Sequence, residues 1–119
     1  MKKDNVIVDK SFAFSVRIVR LYQFLKEKQE FTLSKQVLRS GTSIGANIEE
    51  ATGGYSRKEF IVKLQISYKE ARETRYWIKL LAATDYLDEK LSKSLLDDVD
   101  EIIRLLNAIL QSTKNNEKN

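Results

Sequence analysis

The chain of 119 residues has no proline, and its four glycines all lie between positions 41 and 54. Proline and interior glycine are the residues that most often end a helix. A chain so poor in breakers, with apolar residues recurring every three or four positions, is an all-helical candidate. The one break, Gly53-Gly54, stands inside residues 34–59, SKQVLRSGTSIGANIEEATGGYSRKE. This stretch reads as a helix, a turn and the start of a second helix. Ser34 fits an N-cap, with Leu33 and Leu38 placed for a hydrophobic staple. Val37, Gly41, Ile44, Ile48 and Ala51 share one helical face. Gly53 is expected to end the helix in the left-handed conformation. Ser56 to Glu59 is an S-x-x-E capping box for the next helix.

Gly41 and Gly45 sit one turn apart inside the helix, where each costs roughly 1 kcal/mol against alanine. Close approach of a neighbouring helix offsets such a cost. The expected neighbour is the third helix, whose mid-stripe residues are small: Ser67, Ala71 and Thr74. The other side of helix two carries a polar row, Arg39, Ser43, Asn47 and Glu50, read as an interface or packing face together with the two glycines.

The same periodicity gives three more helices. Asp9 caps the first, which runs to about Glu27 on Phe14, Ile18, Leu21, Tyr22 and Leu25. The third spans about Arg57 to Ala83. Asp88 caps the fourth, which runs to about Gln111 on Leu95, Val99, Ile102, Leu106 and Ile109. Residues 1–8 read as a flexible arm and 113–119 as a disordered tail. The expected fold is an antiparallel up-down-up-down four-helix bundle over residues 9–112.

Composition removes several chemistries. There is no cysteine and no histidine, so thiolate catalysis, disulfides, the usual zinc sites and the commonest general base are excluded. No cofactor, metal or small-molecule substrate is expected, and the chain is read as no enzyme. The acidic run Asp97, Asp98, Asp100 and Glu101 matches no carboxylate metal motif, and Asp100 is placed to pair with Arg104. No apolar run approaches the roughly 20 residues of a membrane span, and no signal peptide opens the chain, which points to the cytoplasm.

The net charge of +4 is uneven. Residues 1–80 carry 16 Lys/Arg against 9 Asp/Glu, a balance of +7, and residues 81–119 carry 5 against 8, a balance of −3. Helix three holds a row of Lys58, Val62, Gln65, Lys69, Arg72, Tyr76 and Lys79. Cations with an interleaved aromatic suit phosphate contact and base stacking. Lys69, Arg72, Tyr76 and Lys79 are therefore the candidate nucleic-acid-binding residues. Against them stands a solvated face with a Lys69–Glu73 pair. Leu38, Ile61, Tyr68 and Trp77 fall off the core stripes and argue for self-association.

Two segments carry a family likeness: LRSGTSIGANIEEATGG at residues 38–54 and SRKEFIVKLQISYKEARETRYWIKLL at residues 56–81. The chain resembles the four-helix-bundle proteins of 23S rRNA intervening sequences. The motif residues are Arg39, Ser40, Ser43, Ile44, Asn47, Ile48 and Glu50, with Glu73 and Thr74 on helix three. The resemblance implies a homopentamer without established catalysis. A similar bundle is the accessory protein of diversity-generating retroelements, which works with a reverse transcriptase and nucleic acid. That likeness implies RNA or a ribonucleoprotein as a partner. The alternative is a structural or protein-interaction module with no nucleic-acid role.

Overall fold

The computed structural model describes residues 2–118, with side chains for 6–115. Four helices fill it: α1 (Lys2–Glu27), α2 (Leu33–Thr52), α3 (Arg57–Ala83) and α4 (Glu89–Lys118). The connections are short, and no strand occurs among the described residues. Cross-helix pairs run in opposite chain directions: Lys63–Glu50 and Thr74–Ser40 join α3 to α2, and Arg17–Asp98 and Lys10–Glu101 join α1 to α4. The result is the expected antiparallel up-down-up-down bundle, 51 × 22 × 20 Å.

The core holds Phe14, Ile18 and Leu25 of α1, Val37, Ile44 and Ile48 of α2, Leu64, Ile78 and Leu81 of α3, and Leu95, Val99, Ile102 and Leu106 of α4. These are the stripes expected from the sequence. Leu38, Tyr68 and Trp77 are also partly buried against this core. They flank it rather than project, so they do not carry the case for self-association. Ile61 is likewise half-buried.

Both ends of the bundle are more helical than expected. α1 starts at Lys2, and Ile7, only 1% exposed, adds a turn to the core stripe ahead of Ser11 and Phe14. The arm expected over residues 1–8 is helix from residue 2, and Asp9 lies inside it. α4 runs to Lys118, through most of the segment expected to be a tail. Met1 and Asn119 lie outside the described residues.

The helix ends obey capping chemistry, with three departures. Ser56 accepts from Glu59 N at 3.1 Å and Asp88 from Leu91 N at 2.7 Å, as expected. Ser34, however, is not the cap of α2. Glu30 takes that place, accepting from Ser34 N at 2.6 Å and Thr32 N at 3.4 Å. A carboxylate satisfies two orphan donors at once and opposes the positive end of the helix dipole. Ser34 is instead buried in the first turn, and Leu33 is the first residue of the helix, so no staple forms across the cap. Gly53 is the C-cap of α2 at φ −96, and no glycine has positive φ among the described residues.

The left-handed positions belong to Gln29 (φ 63) and Asp85 (φ 69). Each closes a Schellman motif: Gln29 N bonds Lys26 O and Glu30 N bonds Leu25 O, while Asp85 N bonds Ala82 O and Tyr86 N bonds Leu81 O. Glutamine tolerates this region poorly. Gln29→Gly is therefore expected to raise stability by about 0.5–1 kcal/mol, partly offset by the entropy of glycine in the unfolded chain. A urea denaturation midpoint unchanged or lowered contradicts this.

Candidate nucleic-acid interface

Arg39, Ser43, Asn47 and Glu50 line the flank of α2 that faces α3. Arg39 donates to Glu70 at 3.2 Å and is paired with Glu73, which also accepts from Trp77 Nε1 at 3.0 Å. Asn47 donates to the Ser43 carbonyl at 2.8 Å and to its hydroxyl at 3.1 Å. Glu50 accepts from Lys63 Nζ at 2.8 Å. That hydrogen bond, and then the Glu50 charge, raise the Lys63 pKa above the ordinary lysine value, so its contribution is complete below that value and disappears only as pH rises beyond it.

Below this row lies a buried polar seam. The Thr74 hydroxyl meets the Ser40 hydroxyl at 2.9 Å, and the Ser67 hydroxyl donates to the Ile44 carbonyl at 2.9 Å. Arg39, Ser40, Ile44 and Glu50 of the motif, with Glu73 and Thr74, thus form a clasp between α2 and α3, while Ser43 and Asn47 bond each other within α2. Its partners Lys63, Glu70 and Trp77 are not singled out for this role by the sequence, although Glu70 sits one turn before Thr74. Thr74→Val is expected to cost about 1–3 kcal/mol, because it orphans the buried Ser40 hydroxyl. Adding Ser40→Ala should recover part of that loss. A double-mutant cycle in urea checks the coupling, and strict additivity contradicts it.

Gly41 and Gly45 lie on the opposite flank, against α1 rather than α3. A Cβ on Gly41 would meet Ile18 at 2.7–3.0 Å, and one on Gly45 would meet the Ser15 hydroxyl at 3.0 Å and the Ser11 carbonyl at 3.3 Å. Both are close-packing residues, as expected, but for a different neighbour. The small residues of α3 serve the polar seam instead.

Lys69, Arg72, Tyr76 and Lys79 all stand exposed on the outer side of α3. Tyr76 is 58% exposed and meets Trp77 edge-on, with ring centroids 5.2 Å apart. Arg72 lies over the Tyr68 ring and donates to its hydroxyl at 3.2 Å, which holds the guanidinium outward. The expected Lys69–Glu73 pair does not form, because Glu73 faces α2 and is taken by Arg39 and Trp77. Among the described residues neither Lys69, Arg72 nor Lys79 has a carboxylate partner.

The acidic side of α4 is different. Asp97 pairs with Lys93, Asp98 with Arg17, Asp100 with Arg75 and Glu101 with Lys10. Asp100 therefore reaches across to α3 instead of to Arg104 on its own helix. Each of these carboxylates is drawn to its own cation, so they do not converge on a common point. No described helix is long and apolar enough to cross a membrane.

The model of the 23S rRNA-intervening sequence protein family matches residues 3–108. A crystal structure of a protein of unknown function from the S23 ribosomal protein family of Bacteroides thetaiotaomicron is 55% identical. It superposes with a TM-score of 0.90 over 92% of this chain and 98% of that one. No curated protein matches the chain.

Proposed function

Since the chain belongs to the 23S rRNA-intervening sequence protein family, we propose that it is a non-enzymatic homo-oligomeric bundle that binds RNA, free or in a ribonucleoprotein, through the outer face of α3. One observation carries the reading. Lys69, Arg72 and Lys79 of α3 are exposed and have no carboxylate partner among the described residues, whereas Asp97, Asp98, Asp100 and Glu101 of α4 are each met by a cation. Lys69, Arg72 and Lys79 therefore contribute uncompensated positive charge beside an exposed tyrosine ring. Such a face meets phosphates by charge and a base by stacking, with little sequence preference. The family resemblance supplies the number five for the assembly, and the cytoplasm remains the place read from the sequence. Repetition of the face in each subunit turns weak binding at one face into avidity.

The test is fluorescence anisotropy on a mixed-sequence single-stranded RNA. Replacing Lys69, Arg72 and Lys79 with glutamine is expected to weaken binding tenfold or more. It should also flatten the log–log salt slope by about 2, at roughly 0.7 for each phosphate no longer neutralised. Tyr76→Ala should cost on the order of 1–3 kcal/mol of affinity. Unchanged affinity in the triple variant overturns the assignment of the face and favours the protein-interaction module.

A further inference from the structure

The surface holds a second unsatisfied region, on the far side of the bundle. Phe12 is 71% exposed, and Val16 and Val19 continue its stripe along the outer side of α1 at 44% and 40%. Beside Phe12 runs a groove between α1 and α2 whose floor is small: Ser11, Ser15, Thr42, Gly45 and Ala46. Its rim carries Asp9 and Glu49, and neither has a cation partner among the described residues. A shallow apolar groove with a negative rim suits a helix that presents aliphatic side chains and a positive charge.

The chain itself offers such a helix face. The first half of α3 exposes Val62 at 43% and Ile66 at 38%, preceded one turn earlier by Lys58. Lys58 has no carboxylate partner among the described residues. Within one copy this face lies on α3, away from the α1/α2 groove, so only another copy can bring the two together. We infer that the α1/α2 groove of one copy receives the Lys58–Val62–Ile66 face of a second copy. Phe12 packs on the two aliphatic side chains, and Asp9 and Glu49 meet Lys58. The inference rests on the homo-oligomer reading above and names its two surfaces. Because the surfaces differ, the contact is heterologous, and it closes into a ring or runs on as a filament. It leaves Lys69, Arg72, Tyr76 and Lys79 on the second half of α3 outside the contact.

Charge reversal on the full-length chain tests the pairing, with mass read by light scattering after gel filtration. Asp9→Lys with Glu49→Lys should lower the mass, as should Lys58→Glu alone, and the three together should restore it. The absence of native cysteine gives an independent reading. A chain carrying both Phe12→Cys and Val62→Cys should form a disulfide ladder on oxidation, while either substitution alone should not. A wild-type monomer at tens of micromolar overturns the homo-oligomer reading and this inference with it. An oligomer indifferent to the charge swaps overturns this inference alone. So does one cross-linked by Phe12→Cys alone, because that places two copies of α1 face to face.

Discussion

Gly41→Leu is expected to destabilise the bundle by on the order of 3 kcal/mol or more. Ile18 has no exposed surface, and its branched Cβ holds it in few rotamers. Its side-chain atoms stand 2.7, 2.8 and 3.0 Å from where a Cβ on Gly41 would sit. Even alanine there forces α1 and α2 apart or pushes Ile18 off its rotamer, at about 1–3 kcal/mol. The gain in helix propensity returns only about 1 kcal/mol. Leucine adds three more carbons to a site with no room for one. Gly45 offers the control. Its nearest atom is a serine hydroxyl that can rotate, and the position opens onto the α1/α2 groove. Gly45→Ala should be near neutral, and Gly45→Leu should cost less than Gly41→Leu. Thermal melting ranks the four variants, with each kcal/mol moving the midpoint by about 4–8 °C in a domain of this size. A Gly41→Leu protein that melts with the wild type contradicts the close approach of α1 and α2.

Phe14→Ala is expected to cost about 3–5 kcal/mol. Phe14 is 1% exposed and is the largest fully buried side chain. It sits at the seam between α1 and α4, beside Ile102. The ion pairs across that seam are Lys10–Glu101 at 3.2 Å and Arg17–Asp98 at 2.6 Å. Both are substantially exposed, and such pairs contribute about 0–1 kcal/mol. Apolar packing, in which the phenyl ring is the largest fully buried side chain, therefore outweighs the ion pairs in the closure. Urea denaturation reads the loss directly. A cost below about 1 kcal/mol shows instead that the ion pairs and the rest of α1 hold the seam closed.

The fold is legible in the sequence because all four stripes keep a helical period and the breaks fall where Gly53, Ser56 and Asp88 put them. What periodicity reports is burial, and it is silent on which neighbour does the burying. Gly41 and Ser40 both flank the Ile44 stripe, one on each side. Whether α1 or α3 lies against a given flank depends on the handedness of the bundle, which residue spacing does not encode. Spacing therefore gives the glycines their close-packing role but the wrong partner. The cap of α2 departs from expectation for a local reason: Glu30 sits three residues before the helix and reaches back into it, where the expected pattern has a serine hydroxyl. α1 runs past its expected start because Ile7, 1% exposed, continues the core stripe ahead of Ser11. On the outer face of α3, exposure of Lys69, Arg72, Tyr76 and Lys79 follows from their spacing. Neutralisation of α4 does not, because Arg17, Arg75 and Lys10 come from other helices.

The central claim is that this bundle presents an uncompensated cationic face to RNA. The most direct measurement is the affinity of the wild-type protein, shown to be folded and assembled, for a mixed-sequence single-stranded RNA across a salt series. Measurable binding at low salt is predicted, falling linearly on a log–log plot with a slope of roughly −0.7 for each phosphate neutralised. No binding at low salt contradicts the claim.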